Sequence, residues 1–257
     1  MAAPHNPDRT RYRGRWLIGL TTAVAVVSGP IYPGRASEGR EALWQVVQLC
    51  VRDQQTTGSP FPCRDVDVER AFVLLKVGNA HFLLIPSMRI QGIESPELRA
   101  LGAVNYWEFA WEARTRLDEA KGTRLSRDEI GLAVNSAQAR TQDQLHVHLG
   151  CIRPDVREAL QVYATKIEGT WSRLPFAIGG HEYRIMRIEG DTLAGANPFK
   201  LLADGIPAAR ADMASQTLMV AGATFRDGGN GFYLLADQSE KGIAASGESL
   251  LDYQCRY

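Results

Sequence analysis

The sequence predicts an α+β fold in which a mainly antiparallel sheet packs with two long helices and carries a C-terminal extension. Short apolar stretches separated by glycine-containing turns indicate hairpins, and stretches with apolar residues at helical spacing lie among them. The chain has 257 residues, of which 45% are hydrophobic, enough for one large domain or two modest ones. Its 29 basic and 29 acidic residues balance, so composition gives no indication of a nucleic-acid surface.

The N-terminal residues predict an export segment. Four arginines between Arg9 and Arg15 precede an uncharged stretch at residues 16–31, and basic residues before an apolar stretch stay in the cytoplasm. We expect an uncleaved signal anchor, with a cleaved export signal as the alternative. The expected organisation is an anchor and linker at residues 1–36, followed by one domain at residues 37–257 outside the cytoplasm.

The four cysteines fit an exported domain. An even number of cysteines in an oxidising compartment predicts disulfides, and no Cys-x-x-Cys spacing indicates zinc. Cys50 and Cys63 are close in sequence and flank a loop with glycine and proline, which favours pairing them and leaves Cys151 with Cys255. The sequence itself allows all three connectivities.

The elements follow from residue spacing and capping. Ser95 and Pro96 predict the N-cap and first position of a helix that ends at Gly122. Its aromatic residues predict core packing, with one wall of an acyl-chain or base pocket as the alternative. Helices are expected at 37–55, 95–121, 155–171, 197–203 and 207–214. Strands are expected at 71–77, 81–86, 130–135, 182–188, 218–225 and 231–236, with a loop at 54–64.

One stretch carries the candidate chemistry. Gln144, His146 and His148 alternate with Leu145, Val147 and Leu149. This period of two predicts a strand with both imidazoles on one face and the apolar residues packed inward. The pattern by itself fits a polar sheet face, half of a metal site or a catalytic pair.

The residues before the histidines favour a phosphate ligand. Arg140, Thr141 and Gln142 offer a cation, a hydroxyl and an amide, and Asn135 lies a few residues earlier. A neutral imidazole is a good nucleophile near neutral pH because its ordinary pKa is about 6.5. We therefore expect this stretch to form the active site, whereas His81 is expected to be structural or surface-exposed.

The stretch Gln-Leu-His-Val-His-Leu-Gly resembles the signature of the histidine triad superfamily, with Gln144 in place of the first histidine. The strand predicted at 81–86, which ends in proline, is similar to a strand of that superfamily. More specifically, most of the chain after residue 40 resembles CDP-diacylglycerol pyrophosphatases of bacterial inner membranes. The similar segments are Ala42-Leu-Trp44, Pro62-Cys63, Glu94-Ser-Pro96, Asn135-Ser136, Arg140-Thr141-Gln142, His146-Val-His148, Cys151-Ile-Arg-Pro-Asp-Val156 and Gly180-His-Glu-Tyr183.

The resemblance implies a HIT-like fold and hydrolysis of CDP-diacylglycerol to CMP and phosphatidate at the membrane surface, with no cofactor and no metal. His146 would be the nucleophile, and His148 and Gln144 would contact phosphoryl oxygens. Arg140 and Thr141 would bind the phosphates, Gln142 would position water, and Asn135 would contact ribose or phosphate. Asn135 and Gln142 could instead only brace the loop. The alternatives are another nucleotide hydrolase or cytidylyl transferase of the superfamily, or a non-catalytic periplasmic domain that binds lipid or nucleotide.

Overall fold

The centre of the fold is one antiparallel sheet of ten strands, seen in the computed structural model, which describes residues 39–256. The strands are β1 Asp65–Asp67, β2 Phe72–Gly78, β3 His81–Pro86, β4 Ile130–Val134, β5 Val147–Ile152, β6 Ser172–Arg173, β7 Arg184–Glu189, β8 Gln216–Thr224, β9 Asn230–Gln238 and β10 Leu251–Asp252. Their order is β1-β2-β3-β5-β4-β8-β9-β7-β6, and β10 pairs with β5. The predicted α+β class with an antiparallel sheet is confirmed.

Two predicted hairpins are confirmed. Strands β2 and β3 pair around the turn that follows Gly78, and β8 and β9 pair along nine residues each. The second turn closes with a hydrogen bond from the Phe225 amide to the Gly229 carbonyl, 2.7 Å long. Gly228 has a φ of 85° there, which glycine adopts without steric cost. Short turns of this kind are fixed by local sequence, which is why they could be located in advance.

The helices are shorter than expected, and the prediction of two long helices is wrong. The α-helices among the described residues are α1 Ala42–Thr57, α2 Tyr106–Glu112, α3 Thr115–Lys121, α4 Pro154–Tyr163, α5 Pro198–Gly205 and α6 Pro207–Ala211. The helix expected at 155–171 ends with α4 and the 3-10 turn Ala164–Lys166. Beyond this turn, the Glu168 carbonyl accepts a hydrogen bond from the Arg187 amide of β7.

The helix expected at 95–121 consists of a 3-10 turn, Pro96–Arg99, followed by α2 and α3. Gly102 interrupts it with a φ of 74°, which no right-handed helix contains. The side chain of Asn105 then donates to the carbonyls of Leu193 and Ala196, so a tertiary contact fixes the break. The predicted end at Gly122 is confirmed, with a φ of 69°.

Side chains alternate across the central strands, so the sheet has a core on each face. Val147 and Leu149 of β5 face the larger core, which also contains Trp107 and Trp111 of α2. The aromatic residues of α2 therefore pack in the core, as expected. On the other face, α1 packs against β2 and β3, and α4 packs against Ile152 and its neighbours.

Two disulfides join Cys50 to Cys63 and Cys151 to Cys255, which confirms the favoured pairing. The first bridge joins the middle of α1 to the loop before β1. The second connects β5 to the C-terminal segment across a separation of 104 residues. Two disulfides suggest an oxidising compartment such as the periplasm.

The predicted anchor at residues 1–36 lies outside the described residues. Within residues 39–256, the helices are too short or too polar to cross a membrane.

Candidate active site

A cleft of about 490 Å³ opens on the sheet face that α1 covers. One side is apolar and comes from α1 and strands β2 and β3. The other side is polar and comes from the ends of β4 and β5, the loop between them, and the C-terminal segment. The lining residues are Ala42, Leu43, Val46, Val77, His81, Leu83, Asn135, Ala139, Thr141, Gln142, His146, His148 and Glu248.

His146 lies just before β5 and is 8% exposed, with its ring on the cleft wall. Its Nδ1 is 2.8 Å from the carbonyl oxygen of Gln144. A carbonyl only accepts, so Nδ1 carries the proton and the neutral ring has its lone pair on Nε2. Burial is the main cause that lowers the pKa of His146, and the charge of Arg140 adds to it, against the Gln144 carbonyl and Glu248. The ring is therefore neutral, with an unshared electron pair on Nε2.

His148 lies beside His146, with 4.8 Å between the ring centroids, as the alternation predicts. Its two nitrogens face different groups. Nε2 is 3.4 Å from the amide nitrogen of Asn135 and 3.4 Å from Oε2 of Glu248, both of which line the cleft. Nδ1 is 3.1 Å from Nε2 of His81 and 3.2 Å from the hydroxyl of Tyr253. Burial, followed by the neighbouring histidines, lowers the pKa of His148.

Asn135 and Glu248 form a polar pair at the cleft wall. The Asn135 amide donates to Oε2 of Glu248 at 2.9 Å, and its Oδ1 accepts from the Glu248 backbone amide at 3.2 Å and from the Ser246 hydroxyl at 3.0 Å. The predicted site residue Asn135 thus lies at the site. Its bonds hold the C-terminal segment against the end of β4.

The loop before β5 is held by ion pairs. The guanidinium of Arg140 donates to both oxygens of Glu94 at 2.7 Å and to Asp143 at 3.1 Å, and its side chain is 5% exposed. Asp143 in turn accepts two hydrogen bonds from Arg40, which lower its pKa to about 2. Among the described residues, Arg140 lies behind the cleft wall, so its predicted phosphate contact stays a prediction.

Thr141 and Gln142 lie on the cleft wall, as predicted. Thr141 is exposed. The Gln142 side chain accepts from the Leu43 amide at 2.8 Å and donates to the Gly39 carbonyl at 3.0 Å. These bonds connect the loop to the start of α1, which agrees with the bracing role that the sequence left open for Gln142.

Gln144 is fully buried. Its amide nitrogen donates to the carbonyls of Pro86 and Met88 at 3.0 and 2.9 Å, so both amide protons are used. The side chain joins the start of β5 to the end of β3 and thereby fixes the position of His146. Its predicted contact with a phosphoryl oxygen, which would require these bonds to exchange, stays a prediction.

Three residues that the sequence did not select are part of the site. Glu248 lies in the short 3-10 helix Gly247–Leu250, Tyr253 follows β10, and His81 begins β3. His81 was expected to be structural or surface-exposed, but it lines the cleft and burial lowers its pKa to about 4. The favoured pairing of Cys151 with Cys255 was the one signal that placed the C-terminus beside the histidines.

His81, His148 and Glu248 could hold a divalent cation, because one ligand atom of each lies within 4.8 Å of the others. Two neutral imidazoles and a carboxylate suit a borderline ion such as Zn²⁺. The same three groups are also hydrogen-bonded within the protein. The prediction of no metal therefore stays a prediction.

The arrangement fits attack on a phosphorus atom. A neutral imidazole lies next to a second imidazole, an amide and a hydroxyl, in a cleft that also has an apolar side. Of the lining residues, Glu248 is the one with a formal charge when the histidines are neutral. A phosphate in this cleft would therefore meet hydrogen-bond donors rather than a cationic wall.

Comparison with known proteins agrees with these features. A family model described as CDP-diacylglycerol pyrophosphatase matches residues 38–257. A CDP-diacylglycerol pyrophosphatase of Yersinia pestis is 36% identical over 247 residues, which cover 94% of this chain and 94% of that protein.

Proposed function

This chain belongs to the CDP-diacylglycerol pyrophosphatase family, and we propose that it cleaves the pyrophosphate bond of CDP-diacylglycerol through a covalent intermediate on His146. The reaction it catalyses is hydrolysis of CDP-diacylglycerol to CMP and phosphatidate. Kinship with the histidine triad superfamily belongs to the same proposal. It is supported by the alternating His146 and His148 at the start of an antiparallel strand.

The state of His146 is the observation that carries the proposal. The Gln144 carbonyl holds the proton on Nδ1, and burial keeps the ring neutral, so Nε2 offers a lone pair in the cleft. A solvent-facing pair of histidines would have neither the fixed tautomer nor the lowered pKa. A covalent nucleophile then divides one difficult hydrolysis into two easier steps.

In the first step, Nε2 of His146 attacks the phosphorus that carries the cytidine. A P–N bond forms, and the P–O bond to the second phosphorus breaks, so phosphatidate leaves with the electron pair of that bond. In the second step, the oxygen of water attacks the same phosphorus and its proton passes to solvent. The P–N bond breaks, its electron pair returns to Nε2 of His146, and CMP is released. The departing phosphatidate is a phosphate monoester and needs little protonation, so positioning and charge stabilisation dominate.

The other polar residues take roles that fit their positions. His148 donates from Nε2 to a phosphoryl oxygen, and Thr141, which also lines the cleft, donates its hydroxyl to another. Asn135 contacts ribose or phosphate.

The loop residues support these contacts. Gln142 positions the water or, through its bonds to α1, the loop that holds Thr141. Arg140 braces that loop through Glu94, and direct contact with phosphate would need the guanidinium to leave this carboxylate.

The location of the substrate gives residues 1–36 a role. A diacylglycerol nucleotide resides in the bilayer, so a signal anchor at the inner membrane would raise the concentration of the enzyme near its substrate. The catalytic domain would then lie in the periplasm, in agreement with its two disulfides. A cleaved signal would leave the same domain in the same compartment.

The test compares His146→Ala with a matched control, His181→Ala. His181 is a partly buried histidine whose Nδ1 is bonded to Asp237, and it does not line the cleft. The full-length enzyme in detergent micelles is mixed with CDP-diacylglycerol, and CMP release is measured. We expect His146→Ala to lose at least about 10³-fold in kcat, because the covalent pathway is removed. Near-wild-type turnover by His146→Ala would refute the assignment.

A further inference from the structure

We propose that Tyr253 is a positioning residue for His148, because its hydroxyl engages Nδ1 and thereby keeps the Nε2 proton directed at the cleft. The inference rests on the proposed function, in which Nε2 of His148 donates to a phosphoryl oxygen. It assigns a catalytic purpose to the C-terminal segment, which the sequence indicated only as an extension.

The two ring nitrogens of His148 have different neighbours. The Tyr253 hydroxyl lies 3.2 Å from Nδ1, and the Nε2 edge faces Asn135 and Glu248 on the cleft wall. The Tyr253 ring stacks on His81 with 3.5 Å between centroids and 8° between planes. The stacked pair of rings thus covers the Nδ1 edge of His148.

The tautomer of His148 depends on which neighbours donate to its ring nitrogens and which accept from them. A neutral imidazole that accepts at Nδ1 carries its proton on Nε2. A tyrosine hydroxyl carries its proton at neutral pH, so Tyr253 can donate to Nδ1 across the 3.2 Å that separate them. His81, the other neighbour of Nδ1, donates from Nε2 in one tautomer and accepts in the other. On the other edge of the ring, Oε2 of Glu248 lies 3.4 Å from Nε2 and can accept its proton, whereas the Asn135 amide, also 3.4 Å away, donates to Glu248 instead. A Tyr253 hydroxyl that donates to Nδ1 therefore selects the Nε2–H form.

The hydroxyl has a second acceptor within reach, the carboxylate of Glu248. If its proton went there, the phenol oxygen would accept from Nδ1–H and the opposite tautomer of His148 would result. We assign the donated hydrogen bond of the Tyr253 hydroxyl to Nδ1, which leaves the His148 proton on Nε2. The two arrangements predict different protonated nitrogens, so they can be distinguished directly.

Three features hold Tyr253 in place. Strand β10 pairs with β5 immediately before it, and Cys255, two residues later, is bonded to Cys151 of β5. Gly150 of β5 lies under the ring, where an added Cβ would be 2.8 Å from Cδ1 of Tyr253. The strand next to His148 is thus shaped to admit this ring.

The experiment measures the His148 tautomer by ¹⁵N NMR of the free, full-length enzyme labelled on histidine nitrogens, with His148→Gln to assign the signals. We expect the Nε2–H form in the wild type and a shift toward Nδ1–H in Tyr253→Phe, which keeps the ring and removes the hydroxyl. Loss of one hydrogen bond should lower kcat by about 3- to 10-fold with little change in KM. The matched control is Tyr183→Phe, a buried tyrosine outside the cleft, which should change neither readout.

A second variant covers the case in which Tyr253→Phe does not fold. Gly150→Ala keeps the hydroxyl but displaces the ring, and it should shift the tautomer in the same direction. An Nδ1–H form in the wild type, or an unchanged Nε2–H form in the folded variants, would overturn the proposal. The NMR result is obtained without substrate, so it does not depend on whether His146 forms the intermediate.

Discussion

Replacing Glu94 by glutamine should loosen the active-site loop. Both carboxylate oxygens accept from Arg140 at 2.7 Å, and the two side chains are 26% and 5% exposed. Removing one partner of a fully buried ion pair costs about 3–5 kcal/mol. Glu94 is partly exposed, glutamine keeps one acceptor, and Asp143 still holds Arg140, so we expect a loss of about 2 kcal/mol. For a domain of this size, that corresponds to a Tm lowered by about 4–8 °C.

Thermal unfolding under oxidising conditions measures the effect, with Glu119→Gln as the control. Glu119 also pairs with arginines, but its side chain is half exposed, so its loss should leave the Tm nearly unchanged. In the activity assay, Glu94→Gln should lower kcat/KM because Thr141 is no longer held in place. A Tm equal to that of Glu119→Gln would refute the bracing role. A lower KM would instead indicate that Arg140, once released, binds phosphate.

The acid limb of the kcat/KM profile should lie below pH 6.5, because burial lowers the pKa of His146 and the free enzyme loses its neutral nucleophile only as pH falls through that lowered value. A limb centred above pH 6.5 would contradict the neutral, buried nucleophile. Replacing Cys151 and Cys255 together by serine should cost about 2–4 kcal/mol of unfolding free energy, measured by urea denaturation, and should also lower kcat because Tyr253 is released. Replacing Cys50 and Cys63 should affect mainly stability, and equal kcat losses in the two double variants would count against a catalytic role of the C-terminal segment.

The parts of the fold that depend on local sequence could be predicted. The hairpins, the strand before Asn135 and the end of a helix at Gly122 follow from turn residues and alternation. Cysteine spacing favoured the observed disulfide pairs but left three connectivities open. The break after Gly102 could not be predicted in the same way. It is fixed by Asn105, whose partners Leu193 and Ala196 lie about 90 residues away.

The site residues show the same difference between features fixed by local sequence and features fixed by distant contacts. His146, His148, Thr141, Gln142 and Asn135 are close in sequence, and the structure brings them to one cleft. Glu248 and Tyr253 come at least 100 residues later. The pairing of β10 with β5 brings the C-terminal segment beside His148, where Glu248 lines the cleft and Tyr253 contacts Nδ1. No local pattern marks them.

Arg140 and Gln144 show a second limit of predicting residue roles from sequence. Both were selected for the chemistry that a guanidinium and an amide offer, and both side chains are engaged by other groups of the protein. Arg140 is bound by Glu94, and Gln144 by the carbonyls of Pro86 and Met88. Sequence identifies which groups are present near a site, but the partners that occupy them come from distant parts of the chain.

The central claim is that His146 carries the cytidylyl group between the two steps. It is tested most directly by mixing the full-length enzyme with CDP-diacylglycerol, quenching within one turnover, and determining the mass of the peptide that contains His146. The account predicts a peptide heavier by one cytidylyl group in the wild type and an unmodified peptide in His146→Ala. An active wild-type enzyme with no adduct at any time during the first turnover, or with the adduct on His148, would contradict it.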